Sequence, residues 1–301
     1  MTRTALALVL AAAALGGCSL EDDSSPAPSP AVGQQLPPAA PSSPASVALE
    51  GDDAFGMRFR LRPPRAGIVF DLVTGDVLWR RRPLERLPVA SLTKVMTALV
   101  VATTTNPRDR VRIHADALRY TGRSVGVLKR GKRVPVEALL SAALITSAND
   151  ASIALAHHVG GSIRGFARLM NERARVLGLG CTRFVSPHGA ENGNRSCSAD
   201  LAALTRLAMA ERRIARAARI PYTQIRAPVK GKRLYLATTN PLLAAGYRGT
   251  IGLKTGYTSE AGRCLIAVVR RGGRTLGAVL LDSPNPAEQA TRLLERAFNA
   301  R

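Results

Sequence analysis

Aromatic side chains are scarce, 4% of 301 residues with a single Trp, so any core must be built mainly from Ala, Leu and Val. Acidic residues are scarce as well: 21 Asp plus Glu face 43 Lys plus Arg, a formal charge of +22. Four cysteines and four histidines, scattered along the chain, exclude a disulfide-dense scaffold and give no metal-ligand spacing. No metal or other cofactor is expected. Apart from one short N-terminal run there is no long apolar stretch, which excludes a chain of bilayer-spanning helices. The positive charge attracts polyanions. Scattered arginines, few aromatics and no recognition motif nevertheless argue against nucleic acid, and an anionic envelope surface fits better.

The charge is unevenly placed. The first 65 residues hold 5 basic and 6 acidic side chains, leaving 38 against 15 beyond them. Arg3 and the apolar run Ala5 to Leu15 form a targeting segment too short to span a bilayer. "LGGC", Leu15 to Cys18, follows and resembles the lipobox of bacterial lipoproteins, in which the cysteine is lipidated and heads the mature chain. That resemblance implies residues 1–18 as signal peptide and a lipid anchor at Cys18 on the outer face of the cell membrane; plain secretory cleavage is the alternative. Residues 19–56 are rich in Pro, Ala and Ser and should form a disordered, extended tether. The globular domain is then expected over 57–301.

The remaining cysteines, Cys181, Cys197 and Cys264, are odd in number. A bridge between Cys181 and Cys197 would clamp the irregular stretch they bracket, while Cys264, in an apolar strand pattern, would pack as a small hydrophobe. The pairing stays open at this point.

Within the globular part, "AGIVFDLVTGDVLWR" (66–80) has the pattern of a hairpin around Thr74-Gly75. From Ser91 to about Ala217 apolar residues recur at helical spacing, with a glycine ending "FARLMNERARVLG" and Ser198 placed as an N-cap. From about Pro221 strand patterns return in "RLYLATT", "GTIGLKTG", "CLIAVVRR" and "RTLGAVLLD". A final helix opens with a proline in "PAEQATRLLERAFNA". Two strands, a helical block, then more strands predict an α/β fold: an antiparallel sheet flanked by helices, with an inserted all-helical lobe.

Three short motifs carry chemistry. In "PVASLTKVMTAL", Ser91 and Lys94 lie three apart, on one face of a helix. A serine hydroxyl becomes a good nucleophile when a base removes its proton. Lysine can serve if burial or a neighbouring cation holds it neutral. The chain uses 37 Arg and 6 Lys, and arginine cannot lose its proton, so a lysine here is informative. Ser-x-x-Lys is nonetheless short enough to arise by chance. "TSANDAS" places Ser147 and Asn149 between two helical runs, where they could equally be caps. "GLKTGYTSEAG" places Lys254, Thr255 and Gly256 on a strand, where a glycine on an edge would let a substrate backbone approach. Together, in this order and context, the three are the signature of penicillin-binding proteins and class A β-lactamases.

The stretches around them closely resemble the D-alanyl-D-alanine carboxypeptidase family of low-molecular-mass penicillin-binding proteins, from about Ala66 to Leu281. The resemblance implies a serine peptidase that removes the last D-Ala of peptidoglycan stem peptides through an ester on Ser91. Lys94 would be general base, Ser147 proton relay, and Asn149 would orient substrate and Lys94. Lys254 and Thr255 would bind the terminal carboxylate beside Gly256, and the N–H groups of Ser91 and Tyr257 would form the oxyanion hole. β-Lactams would be covalent inhibitors. By the same resemblance, the C-terminal β-domain and anchor helix of many relatives are expected to be missing, and the lipobox would replace that anchor. Ser186 and Arg195 depart from the family pattern, which weakens any substrate role for His188. His114, His157 and His158 look structural and without partners, and Asp150 and Asp200 look like helix-start residues. The rivals are a class A-like β-lactamase, for which neither Glu172 nor Glu191 shows the required glutamate pattern, and a non-catalytic wall-binding lipoprotein.

Overall fold

The computed structural model describes residues 46–120, 122–226 and 233–300. Cys18, the signal peptide and most of the tether lie outside the described residues. Along the chain, β1 (Ala66–Asp71) and β2 (Val77–Arg81) form the first hairpin, and β3 (Leu87–Pro88) leads to one 3-10 turn (Ala90–Thr93) that runs into α1 (Lys94–Thr104). Next come β4 (Arg110–Arg112), α2 (Ala115–Arg119), β5 (Arg133–Pro135), α3 (Val136–Ile145), α4 (Asn149–Gly160) and α5 (Ile163–Val176). β6 (Arg195–Ser196), α6 (Ser198–Ala210) and α7 (Arg212–Ala218) follow. The rest comprises β7 (Tyr222–Arg226), β8 (Arg233–Ala237), α8 (Pro241–Ala244), β9 (Thr250–Thr258), β10 (Gly262–Arg271), β11 (Arg274–Leu281) and α9 (Pro286–Asn299).

The main sheet is antiparallel, in the order β2-β1-β11-β10-β9, so the first hairpin closes against the last. Both faces of the sheet are covered, which explains why its strands read as nearly continuous apolar runs rather than alternating ones. On β10, Cys264, Ile266 and Val268 face the helical lobe, while Leu265, Ala267 and Val269 join the cluster under α9. Helix α9 starts at Asn285, whose side chain accepts the Glu288 N–H, and turns Leu293 and Leu294, both fully buried, onto the sheet. Burying each contributes roughly 1.5–3 kcal/mol.

Helix α1 is buried along nearly its whole length, from Lys94 to Ala102. A helix that is apolar all round belongs in a core, and here it packs against α3, α4, α5, α6 and α7. That burial explains how a lysine at its first residue comes to be out of water.

Four expectations need correction. Residues 46–56, assigned to the tether by composition, run along the first hairpin: Ala48 N–H donates to Gly75 O, Ala54 N–H donates to Leu78 O, and Phe55 packs into the α9 cluster. Alternating apolar residues hidden in a Pro-rich context supply that adhesion. The "RLYLATT" strand (β8) pairs with β7 in a separate two-stranded ribbon and does not extend the main sheet. Short strands β4, β5 and β6 interrupt the helical block. Ser198 is not the N-cap of α6: Cys197 holds that position, and the Ser198 hydroxyl bonds Pro83 O instead.

Candidate active site

The two backbone segments that present the nucleophile candidate and the Ser-x-Asn motif are both strained. Ala90, just before Ser91, has φ 45°, and Ser147 has φ 62°, a left-handed conformation that non-glycine residues seldom adopt. Such strain persists where the surrounding structure over-determines it. Ser147 lies in the tight Thr146–Ala148 link between α3 and α4, closed by the Ala148 N–H to Ala142 O bond. Asn149 then opens α4.

Lys94 is fully buried, with Nζ 3.0 Å from Ser91 Oγ, 2.7 Å from Asn149 Oδ1 and 2.8 Å from His188 O. The last two are acceptors, so they take two N–H bonds of the amine. In its neutral form a lysine has two N–H bonds and one lone pair, and that lone pair is left facing the Ser91 hydroxyl. Burial pushes the Lys94 pKa well below its ordinary value, and the charges of Lys254 and Arg123 push the same way against Asp150. Lys254 is held down to about 7, again by burial first and Arg123 second.

Strand β9, at the sheet edge, crosses over the nucleophile. A Cβ on Gly256 would lie 3.1 Å from Ser91 N and 3.0 Å from Val89 O, so glycine is what lets strand and turn approach. Opposite them, the 186–190 loop is pinned to α1: Thr97 Oγ1 donates to Pro187 O at 2.6 Å, and Asn194 Nδ2 donates to Thr93 Oγ1 and Ser186 O, each at 2.9 Å. Gly189, at φ 74°, sits so close that a Cβ would fall 2.0 Å from Ala90 O. The Cys181–Cys197 disulfide forms and clamps the same stretch, while Cys264 is free and buried. Asp200 accepts from Cys181 N–H and the Thr182 hydroxyl, so it pins this loop. Because the two sulfurs are bonded to each other, their closeness to Asp200 does not make a metal site. Asp150 likewise stands in the first turn of α4 and accepts the Val125 and Ala151 N–H groups.

A cleft of about 670 Å³ opens over this cluster, lined among others by Ser91, Tyr120, Arg123, Ser147, Asn149, Thr239, Thr255, Gly256, Tyr257 and Arg263. Seven of the eight residues named from the motifs therefore meet around one space or directly beneath it, and the eighth, Lys254, is buried behind it. Two placements differ from expectation. Lys254 is fully buried and donates to Thr255 O at 2.9 Å, so it does not line the cleft. Thr255, whose hydroxyl donates to Thr239 Oγ1 at 2.7 Å, and Arg263, whose guanidinium donates to Pro284 O at 2.8 Å, present the polar surface there. The second difference is Ser147: among the described residues no hydrogen bond joins its hydroxyl to Ser91 or Lys94.

His188 is buried. Its Nδ1 accepts the Ala190 N–H, burial and Lys94 bring its pKa down to about 3, and its ring tilts against Tyr120 at 4.8 Å. It acts through its carbonyl on Lys94. Ser186 Oγ accepts the Gly189 N–H, and Arg195 pairs with Glu260 at 2.7 Å, which accounts structurally for both departures from the family pattern. His157, read as unpartnered, lies 3.1 Å from Asp116 and stacks on His114. Arg123, Arg263, Tyr120 and Thr239 escaped the sequence reading because none stands in one of the three motifs.

An antiparallel sheet with an all-helical lobe, a half-buried Ser91 backed by a buried Lys94 between them and a Lys-Thr-Gly edge strand closing the cleft are the arrangement expected of the low-molecular-mass penicillin-binding protein class. The chain belongs to the D-alanyl-D-alanine carboxypeptidase family of serine peptidases, whose model matches residues 64–285. It is 32% identical over 244 residues to D-alanyl-D-alanine carboxypeptidase DacF of Bacillus subtilis, covering 78% of this chain and 62% of that relative. It thus spans about three fifths of that protein's length. Among solved structures it resembles the Streptomyces K15 DD-transpeptidase (TM-score 0.74, 28% identity, 81% of this chain and 100% of that one). It also resembles a D-alanyl-D-alanine carboxypeptidase of Mycobacterium tuberculosis (TM-score 0.76, 28% identity, 84% and 97%).

Proposed function

We propose that the protein is a serine-type D-alanyl-D-alanine carboxypeptidase acting on peptidoglycan stem peptides. The observation that carries this reading is the amine of Lys94, buried, depressed in pKa, bonded to Asn149 Oδ1 and His188 O, and 3.0 Å from Ser91 Oγ; with those two bonds kept, the neutral amine turns its lone pair to the serine.

The steps follow from that geometry. Ser91 Oγ attacks the carbonyl carbon of the penultimate D-Ala as its proton passes to Lys94 Nζ. The backbone N–H groups of Ser91 and Tyr257 stabilise the tetrahedral oxyanion. The C–N bond then breaks, the leaving D-Ala amine takes a proton through Ser147, and an ester remains on Ser91. Water hydrolyses that ester, with Lys94 again accepting a proton. Asn149 orients the substrate amide as well as Lys94. Thr255 and Arg263 hold the terminal carboxylate, with Lys254 behind them supporting the strand and the local potential. A penicillin would acylate Ser91 in the same way.

The β-lactamase reading has less support. No carboxylate lines the cleft among the described residues. Glu172 lies on the exposed face of α5, bonded to Arg175 at 2.7 Å, and so cannot activate a deacylating water. The lipid anchor at Cys18 and a position on the outer face of the membrane complete the proposal. No helix among the described residues is long and apolar enough to cross a membrane.

The test is D-Ala release from diacetyl-L-Lys-D-Ala-D-Ala. Release that depends on Ser91 supports the carboxypeptidase. Peptide left intact, with nitrocefin turned over rapidly, would favour the β-lactamase. Binding of peptidoglycan with neither activity would favour a non-catalytic module.

A further inference from the structure

The cleft carries two arginines on opposing walls and no lining carboxylate among the described residues. Arg263, on the sheet wall beside Thr255, is matched to a substrate's terminal carboxylate. Arg123 is left over. It lies on the wall that carries Ser147 and Asn149, fixed there because its carbonyl accepts the Asn149 N–H at 2.7 Å. Its side chain is exposed and takes part in no ion pair among the described residues. Its charge reaches the floor of the cleft, where it lowers the pKa of both Lys94 and Lys254.

An unpaired carboxylate stands on the same rim. Glu191 follows the lining residue Ala190, is exposed, and acts through its charge on Tyr120, which also lines the cleft. Among the described residues no ion pair joins Glu191 to Arg123. The rim around Tyr120 thus offers a cation and an anion that form no ion pair among the described residues.

A stem peptide seated with its scissile carbonyl at Ser91 places the next residue upstream about 3.8 Å further along, measured between Cα atoms. The side chain of that third residue is therefore the part of the substrate that reaches the rim. We propose that Arg123 and Glu191 read the end of this side chain and that Arg123 selects a 2,6-diamino diacid, which ends in a carboxylate beside an ammonium, over lysine, which ends in a bare ammonium. The Arg123 fork accepts a carboxylate in two parallel hydrogen bonds, and Glu191 meets the ammonium. This specificity rests on the peptidase reading above.

The experiment compares kcat/KM for D-Ala release from Nα-acetyl-L-lysyl-D-Ala-D-Ala and Nα-acetyl-2,6-diaminopimelyl-D-Ala-D-Ala. The expected preference for the diacid is about tenfold or more, the size of one charge-assisted contact. Arg123→Gln should reduce the ratio to about one, Arg123→Lys should keep part of it, and Glu191→Gln should slow both peptides without changing the ratio. The ratio is the readout because loss of the Arg123 charge also alters Lys94 and hence both rates. Equal rates in the wild type, or a preference that survives Arg123→Gln in protein still acylated by penicillin, would overturn the assignment. If Arg123→Gln does not fold, the wild-type ratio alone decides. Release from neither peptide refutes the peptidase reading and the specificity with it, a result distinct from release without preference.

Discussion

Replacing Lys254 with methionine should make the folded protein less dependent on pH. The amine is fully buried, and its pKa stands at about 7 in the folded chain against 10.5 for an ordinary lysine. A folded pKa below the unfolded one means that the unfolded chain binds the extra proton between those values. Stability therefore rises with pH through that window, and the cost of burial is fully present below about 7. A gap of about 3.5 pH units corresponds to about 5 kcal/mol of burial cost. On the order of 2 kcal/mol of it is recovered between pH 7 and pH 9. Methionine keeps an unbranched stem and removes the titrating group. It also loses the bond to Thr255 O, about 1 kcal/mol at either pH, so the comparison between the two pH values isolates the titration. Lys94 contributes a slope of the same sign in both proteins. Urea unfolding at pH 7 and pH 9 should show wild type gaining about 2 kcal/mol more than Lys254→Met. The variant should be the more stable of the two at pH 7 yet acylate more slowly. Equal gains would mean that Lys254 keeps its charge in the fold across this range, and the assignment of a pKa depressed by burial would fail.

Three further outcomes are expected. Gly189→Ala would drive a Cβ into Ala90 O, displace the 186–190 loop and remove the His188 carbonyl from Lys94; penicillin acylation measured by stopped flow should fall at least tenfold, with a loss of roughly 1–3 kcal/mol in stability. Asn149→Ala removes one of the two acceptors that aim the Lys94 lone pair. Its acylation rate should drop about tenfold to a hundredfold while the melting temperature changes little, and an unchanged rate would remove Asn149 from the mechanism. Converting Cys181 and Cys197 together to alanine opens a loop of 16-residue separation, which should cost about 3 kcal/mol in thermal unfolding. Reductant should lower the wild-type melting temperature by a similar amount and leave the variant's unchanged.

The clustering of the three motifs was legible in the sequence where each lay on a recognisable element. Ser91 precedes a helix buried along nearly its whole length, Asn149 opens α4, and Gly256 lies on an edge strand, so motif order and local pattern were enough to bring them to one place. The role of Lys254 was only half legible. Its motif announced it, but its depth depends on how β9 packs against the 3-10 turn, a contact between segments about 165 positions apart that no local pattern records. Arg123 and Arg263 were invisible for a related reason: in a chain with 37 arginines, the two that line a cleft look like all the others. Compositional reading placed the end of the tether too late, because proline and serine outweighed the few apolar residues of 46–56 that seat on the hairpin. The β7–β8 ribbon reads like any pair of strands, and which sheet it joins is decided by tertiary packing.

The account depends most on Ser91 being made reactive by the neutral amine of Lys94. Purified protein treated with a fluorescent penicillin, digested and read by mass spectrometry tests this directly. The adduct should be confined to the peptide that contains Ser91, form with one-to-one stoichiometry, and vanish in Ser91→Ala, with its rate falling as pH drops and Lys94 takes up a proton. An adduct on another residue, or labelling of Ser91 at a rate indifferent to pH and to Lys94→Met, would contradict it.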